Sequence, residues 1–299
     1  MRLIALLLLF PANAVAAWPE DVTPSAMTEY GGEAQLQSQE LGKMYQQLIA
    51  EVGTMVANKP LLPAETVGFN GWEVGYHMQW VFNEARDRCG SLIDGSNVPN
   101  QYCDTSPWDL AHQKEDNLPY QWIPTFSARK GLPWSTEVGF QAGWVGMSNT
   151  GVFGGYGRIA LIEGYKPWPD ITLQAGYSGY VGNRELAVGT MDLGVTIGTT
   201  AYTGSLPGIH VGSISPWANF TLLRVSAGYK LDDDVAADIG AQTFRGGSAA
   251  VGTDSVAPMA IPQVAMGWQV TSQNLHARVG LSWAPSTIPT LNTGMGMTF

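Results

Sequence analysis

The sequence predicts an all-β fold, a transmembrane antiparallel up-and-down β-barrel of about twelve strands, preceded by one amphipathic helix. Three observations predict it. From residue 66 onward, apolar and polar residues alternate with period two in runs of about ten, the length a tilted strand needs to cross a bilayer. Aromatics, tryptophan above all, gather at the ends of those runs, as interfacial girdles do. The 299-residue chain is also 45% hydrophobic but only 13% charged, well below the roughly 25% charged residues of soluble domains. A soluble β-sandwich alternates equally well. The girdles and the scarcity of charge decide for hydrocarbon.

The chain opens on "MRLIALLLLFPANAVAAWPE". Arg2, the apolar run Leu3–Phe10 and the small residues Val15, Ala16 and Ala17 form an export signal over 1–17, cleaved before Trp18. The run is too short for a membrane span, which takes about 20 apolar residues. Residues 18–62 are read as a periplasmic linker and a helix. Pro19, Pro24, Gly31 and Gly32 mark the linker. Leu41, Met44, Tyr45, Leu48, Ile49, Val52, Met55 and Val56 then recur at helical spacing, which predicts a helix over 34–58 stopped by Pro60. Its polar face carries Gln and Glu rather than the Lys and Arg that anionic lipid attracts. It therefore packs against protein, either as a plug in the lumen or against a periplasmic partner.

Residues 63–299 form the barrel. Trp72, Val74, Tyr76, Met78 and Trp80 alternate with Glu73, Gly75, His77 and Gln79, and the later runs repeat that pattern. Strands are expected over 66–80, 119–130, 134–147, 151–163, 170–181, 186–198, 208–221, 222–231, 235–245, 258–271, 275–284 and 289–299. His210–Leu231 also reads as one long strand, but single-chain bacterial barrels have even counts, which favours the split. An even count leaves both termini on the periplasmic side and the first connection, Val81–Leu118, outside. Cys89 and Cys103 lie in that connection, and in an exported chain a disulfide is the default, worth about 3 kcal/mol. Lys130–Pro133, Asp232–Asp234 and Ser272–Asn274 fall on the periplasmic side, and Gly246–Ala257 outside.

Facing the lumen, this register puts Arg129, Glu137, Arg158, Asp192, Arg224, Lys230 and Asp238. Closure of the barrel brings the first and eleventh strands near each other, so that Glu73, His77, His276 and Arg278 can form one polar cluster. Such a cluster is a site for solute, or a network that satisfies its own buried charge.

Several function classes are disfavoured. A net charge of −10 without a basic patch argues against nucleic acid. Gly155, Gly157 and Ala160 in "GYGRIA" imitate half a dinucleotide fingerprint, but no helix follows. None of the four histidines has a partner at metal-ligand spacing, so no metal and no cofactor is expected. Ser282 in "GLSWA" departs from the nucleophile-elbow pattern and sits in a strand.

The final residues, "LNTGMGMTF", alternate and end on a bare phenylalanine. This strand resembles the carboxyl-terminal signature of bacterial outer-membrane β-barrel proteins. The resemblance implies the outer membrane of a Gram-negative cell, contact with its lipid, and recognition of Met295, Met297 and Phe299 by the barrel assembly machinery. No motif fixes one transporter or enzyme family. The expected role is porin-like passage of a small or amphipathic solute, gated or plugged by the amino-terminal helix. The alternatives are a non-transporting anchor for an envelope machine and, third, a lipid-modifying enzyme.

Overall fold

The computed structural model describes residues 21–33, 38–57, 62–82, 107–111, 120–164, 168–199, 212–239, 259–284 and 287–299. The signal segment and the Cys89–Cys103 pair lie outside these residues. Ten antiparallel strands close into a barrel, β1 (Trp72–Phe82), β2 (Tyr120–Leu132), β3 (Thr136–Trp144), β4 (Gly151–Ile162), β5 (Asp170–Val181), β6 (Leu186–Gly198), β7 (Ser213–Tyr229), β8 (Met259–Ser272), β9 (Leu275–Trp283) and β10 (Thr290–Thr298). Each pairs with its sequence neighbours, and β10 returns to β1. Among the described residues no strand edge is left unpaired, as a hydrocarbon surrounding demands.

Closure runs to the last residue. Phe299 N–H donates to Trp72 O at 2.8 Å, and Trp72 N–H to Phe299 O at 3.2 Å. We call this end, which carries the tight β2–β3 and β8–β9 turns, the terminal end, and the opposite one the loop end. Aromatics ring both on the outside. Trp72, Trp134, Trp168 and Phe299 are exposed near the terminal end, and Phe82, Tyr120, Trp144 and Trp283 near the loop end. Between them Phe126, Phe140, Leu193, Phe220, Met266 and Met295 are exposed, an apolar band of the kind that faces lipid.

The strand count is ten, not about twelve. Residues expected to turn between two strands near 221 continue as one, because Thr221, Leu223 and Val225 point inward while Phe220, Leu222 and Arg224 point outward without a break. The segment expected as a strand from 235 begins as a helix, α4 (Asp233–Asp238). Three consecutive aspartates explain it. Asp232 takes the extended N-cap conformation, and Asp233 and Asp234 place negative charge at the positive end of the helix dipole. Asp232–Asp234 consequently sits at the loop end, opposite to the expectation. Gly246–Ala257 lies outside the described residues.

Candidate functional site

Two short helices and one long one occupy the loop end and the lumen, α1 (Ala26–Glu33), α2 (Ser38–Val56) and α3 (Pro107–Ala111). The chain before α2 is strapped to the loop-end rim. Asp21 accepts from Ser148 Oγ at 2.6 Å, Val22 O from Asn183 Nδ2 at 2.8 Å, and Glu185 takes both the backbone N–H and the hydroxyl of Ser25. Thr23 N–H donates to Ala111 O at 2.7 Å.

From there α2 enters the barrel. Tyr45, Leu48, Ile49, Val52, Met55 and Val56 are fully buried and join one apolar cluster with Leu186, Val188, Leu223, Val225 and Ile261 of the wall. The helix touches β5 to β8. Gly53 permits that approach, since a Cβ there would lie 2.3 Å from Val225 Cγ1. The barrel also bonds carbonyls of the last turn, with Gln79 Nε2 donating to Met55 O at 2.7 Å and Thr190 Oγ1 to Gly53 O at 2.9 Å beside the Ala57 N–H at 3.1 Å.

The chain then descends to the terminal end. Arg158 Nη2 donates to Pro63 O at 2.6 Å, Thr172 Oγ1 to Ala64 O, Thr66 N–H to Glu163 Oε1 at 2.6 Å, and Val67 N–H to Glu137 Oε2 at 3.2 Å. The described stretches 21–33, 38–57 and 62–71 therefore follow one another from the loop end to the start of β1.

In the terminal half the strands supply an alternating chain of charge. Arg278 on β9 makes a bidentate pair with Glu73 on β1, both contacts at 2.8 Å. Glu73 meets Arg129 on β2 at 2.5 Å, Arg129 meets Glu137 on β3 at 3.1 Å, and Glu137 meets Arg158 on β4 at 2.8 Å. Every one of these side chains is at most 6% exposed. His276 Nε2 lies 3.4 Å from Glu73, and Gln269 accepts from Arg278 Nε at 2.5 Å.

This chain crosses the closure seam because β10 is bare there. Gly294 and Gly296 face inward opposite His77 and Gly75. A Cβ on Gly294 would lie 2.2 Å from His77 Nδ1, and one on Gly296 would lie 2.3 Å from His276 Nε2. Side chains of β1 and β9 therefore meet across the backbone of the last strand.

The structure thus brings Glu73, Arg129, Glu137, Arg158, His276 and Arg278 into one network, with His77 beside it. Asp192, on the inward face of β6, accepts from Gln174 Nε2 at 3.1 Å, on the opposite wall. Three residues expected in the lumen are not there. Arg224 points outward and is exposed, because the unbroken β7 sets its parity with Leu222. Asp238 is exposed on α4. Lys230 sits at the loop-end rim, its Nζ donating to Asn183 O at 3.2 Å.

Sequence reasoning missed Ser127. Its Oγ lies 2.7 Å from His77 Nε2, in a contact fixed by the β1–β2 register. The pair borders a cavity of about 40 Å³ with Val56, Gln79, Tyr156 and Asn292, large enough for about one water. His77 Nδ1 has no hydrogen-bond partner among the described residues, so no carboxylate orients the ring as a triad would.

No family model matches the chain, and no curated protein matches it. Solved structures similar to it include outer-membrane proteins. The Omp33 outer membrane protein of Acinetobacter baumannii is 8% identical, covering 77% of this chain and 98% of that one, with a TM-score of 0.28. The KdgM porin is 6% identical over 76% and 99%, with a TM-score of 0.30. The transport unit of the Escherichia coli autotransporter AIDA-I is 8% identical over 87% and 98%, with a TM-score of 0.33.

Proposed function

We propose that this protein is an outer-membrane barrel that serves as a gated conduit for a small polar solute, closed in the present state by its own amino-terminal segment. The single observation behind the reading is how the lumen is filled. Inward positions of the strands are repeatedly glycine, among them Gly75, Gly143, Gly194, Gly267, Gly280, Gly294 and Gly296. A barrel needed only as a rigid body fills itself with strand side chains. Here a separate segment does so, fastened by apolar contacts to one wall. The wall across from it carries Thr125, Ser127, Ser282 and Asn292, groups suited to water, and reaches the helix through Gln79.

Planar-bilayer conductance tests this reading. The full chain is expected to be mostly silent, and a chain lacking 38–57 to show steady open-channel current. Silence in both would turn the reading to the membrane anchor, whose support is the fully buried apolar contact between α2 and the wall. Under either reading the strap at Asp21–Ser25 belongs to the cell exterior and Phe299 to the periplasm. A protease site inserted before Asp21 is therefore expected to be cut on intact cells. We assign the Ser127–His77 pair no hydrolytic role, since its imidazole lacks an orienting carboxylate and its cavity is water-sized.

A further inference from the structure

Several inward side chains of the closed barrel spend their hydrogen bonds inside it. Thr190 and Gln79 hold α2, Arg158 and Thr172 hold the segment after it, and Asn219 donates to Thr196 Oγ1 while accepting from Thr221. One group of neighbours does not. Gln263 on β8, Ser282 on β9 and Thr290 on β10 are each at most 1% exposed. Gln263 Nε2 and Oε1, Ser282 Oγ and Thr290 Oγ1 have no hydrogen-bond partner among the described residues. The three side chains are contiguous. Ser282 pairs with Thr290 on one side and with Ala265 on the other, and Ala265 is the next inward residue of β8 after Gln263. Trp217 of β7 packs on Ala265 and covers the bare backbone of Gly267, where an added Cβ would lie 2.6 Å from its Cζ2. Its indole N–H is buried and unpartnered too, among the described residues.

Buried polar groups are as a rule hydrogen-bonded, and one left unpaired costs the closed state free energy. Apolar side chains of the same shape would serve that state better. The use of these groups therefore lies in another state, the one in which α2 has moved and the lumen is wet.

We propose, resting on the conduit reading above, that Gln263, Ser282, Thr290 and Trp217 are the solute-contacting wall of the open barrel, and that the solute is an uncharged polyhydroxyl compound of monosaccharide size. The patch itself carries no charge. Arg278, also on β9, spends its Nε on Gln269 and both terminal nitrogens on Glu73, so an anion finds no free guanidinium there. The Gln263 amide supplies two donors and an acceptor, and each hydroxyl both donates and accepts. A sugar ring presents matching groups, hydroxyls along its edge and C–H faces that can lie against an indole. A site built from such groups discriminates against solutes that lack hydroxyls, because its own polar atoms are then left unpaired. Ten strands enclose little more than the small barrels that hold one small ligand, which limits the solute to about a single ring.

The test is single-channel recording in potassium chloride, on the full-length protein and on the chain lacking 38–57, with D-glucose as the probe. Openings are expected to be interrupted by glucose in proportion to its concentration, and not by acetate or methylammonium added at the same concentration. Gln263→Met combined with Thr290→Val replaces polar groups by apolar ones of similar shape. It is expected to weaken the glucose block roughly tenfold, as the loss of one or two hydrogen bonds does. In the full-length protein it is expected to leave the urea midpoint of the detergent-folded barrel unchanged or raised, since no bond is lost from the closed state. Openings that glucose leaves untouched, that acetate interrupts as strongly, or whose block survives the double variant would overturn the proposal and leave the conduit standing. No opening in either chain would remove the conduit and the proposal together. A lowered urea midpoint in the double variant would overturn the proposal by showing that these groups are bonded when the barrel is closed.

Discussion

The contact between Gly53 and Val225 sets how firmly the lumen is closed, and a single methyl group tests it. Gly53→Ala places a carbon 2.3 Å from Val225 Cγ1 and 2.5 Å from Cγ2. Valine cannot turn away, because its β-branched side chain is held at χ1 and its strand is hydrogen-bonded on both sides. Helix α2 must therefore shift off the wall, at the roughly 1–3 kcal/mol typical of overpacking. The substitution also favours the helix itself by about 1 kcal/mol, the difference between Gly and Ala in a helix interior. The net is a loss of about 1 kcal/mol in plug docking, roughly a fivefold rise in the undocked population. Single-channel recording reads this as a fivefold increase in open time, and amide exchange as faster exchange across 48–56 with the strands unchanged. Val225→Ala removes both clashing carbons. Combined with Gly53→Ala, it is expected to give a closed state firmer than the sum of the two single effects allows. Strict additivity, or an unchanged open time and exchange rate in Gly53→Ala, would refute the docking geometry.

Two further substitutions probe the charge chain and the seam. Glu73→Gln leaves Arg129 and Arg278 buried without their shared carboxylate. A loss of about 3–5 kcal/mol is expected for such a broken pair, seen as a lower urea midpoint of the detergent-folded barrel. Gly296→Ala drives a methyl toward His276 Nε2. It is expected to slow the appearance of the heat-modifiable folded form, and His276→Ala in the same chain should restore part of the rate, since Val74 O remains 2.9 Å from the added carbon.

Much of this was legible in the sequence, and what was not follows a pattern. Period-two alternation locates β1 to β6 and β8 to β10, because a strand between lipid and a lumen must alternate whatever its neighbours do. Alternation cannot mark the end of a strand that carries no turn residue. The split of β7 rests on the even-strand rule and not on any turn residue, and it puts Arg224 on the wrong face, since one misplaced turn inverts the parity of every residue beyond it. Asp232–Asp234 resembles a tight turn in composition, and its part in starting a helix shows only in the structure, where Asp232 is the N-cap of α4. For the lumen, residue type and parity were enough to identify Glu73, Arg129, Glu137, Arg158, His276 and Arg278 as inward. Their union into one chain depends on two inward glycines of β10, whose role appears only once the strands are closed. The apolar stripe of α2 was plain, but a stripe says that a helix is buried and not where.

The two halves of the lumen are held by different forces, and that difference bears on how a closed barrel could open. In the terminal half, strand is tied to strand by paired charges and the threading segment is tied to the wall by hydrogen bonds from Arg158 and Thr172. Those bonds satisfy groups that would otherwise be buried alone, so breaking them one at a time is costly. In the loop half, α2 is held by apolar contact with β5 to β8, and its last carbonyls by two side chains, Gln79 and Thr190. Apolar contact is non-directional, so α2 can slide on the wall provided that α3 moves with it, because Trp108 Nε1 donates to the buried Glu51 carboxylate at 2.5 Å. Movement of the plug is therefore expected to begin at the loop end, with 62–67 staying in place as a tether. A cross-link that fixes α2 to β7 should then abolish opening, whereas one that fixes Ala64 to β5 should leave it intact.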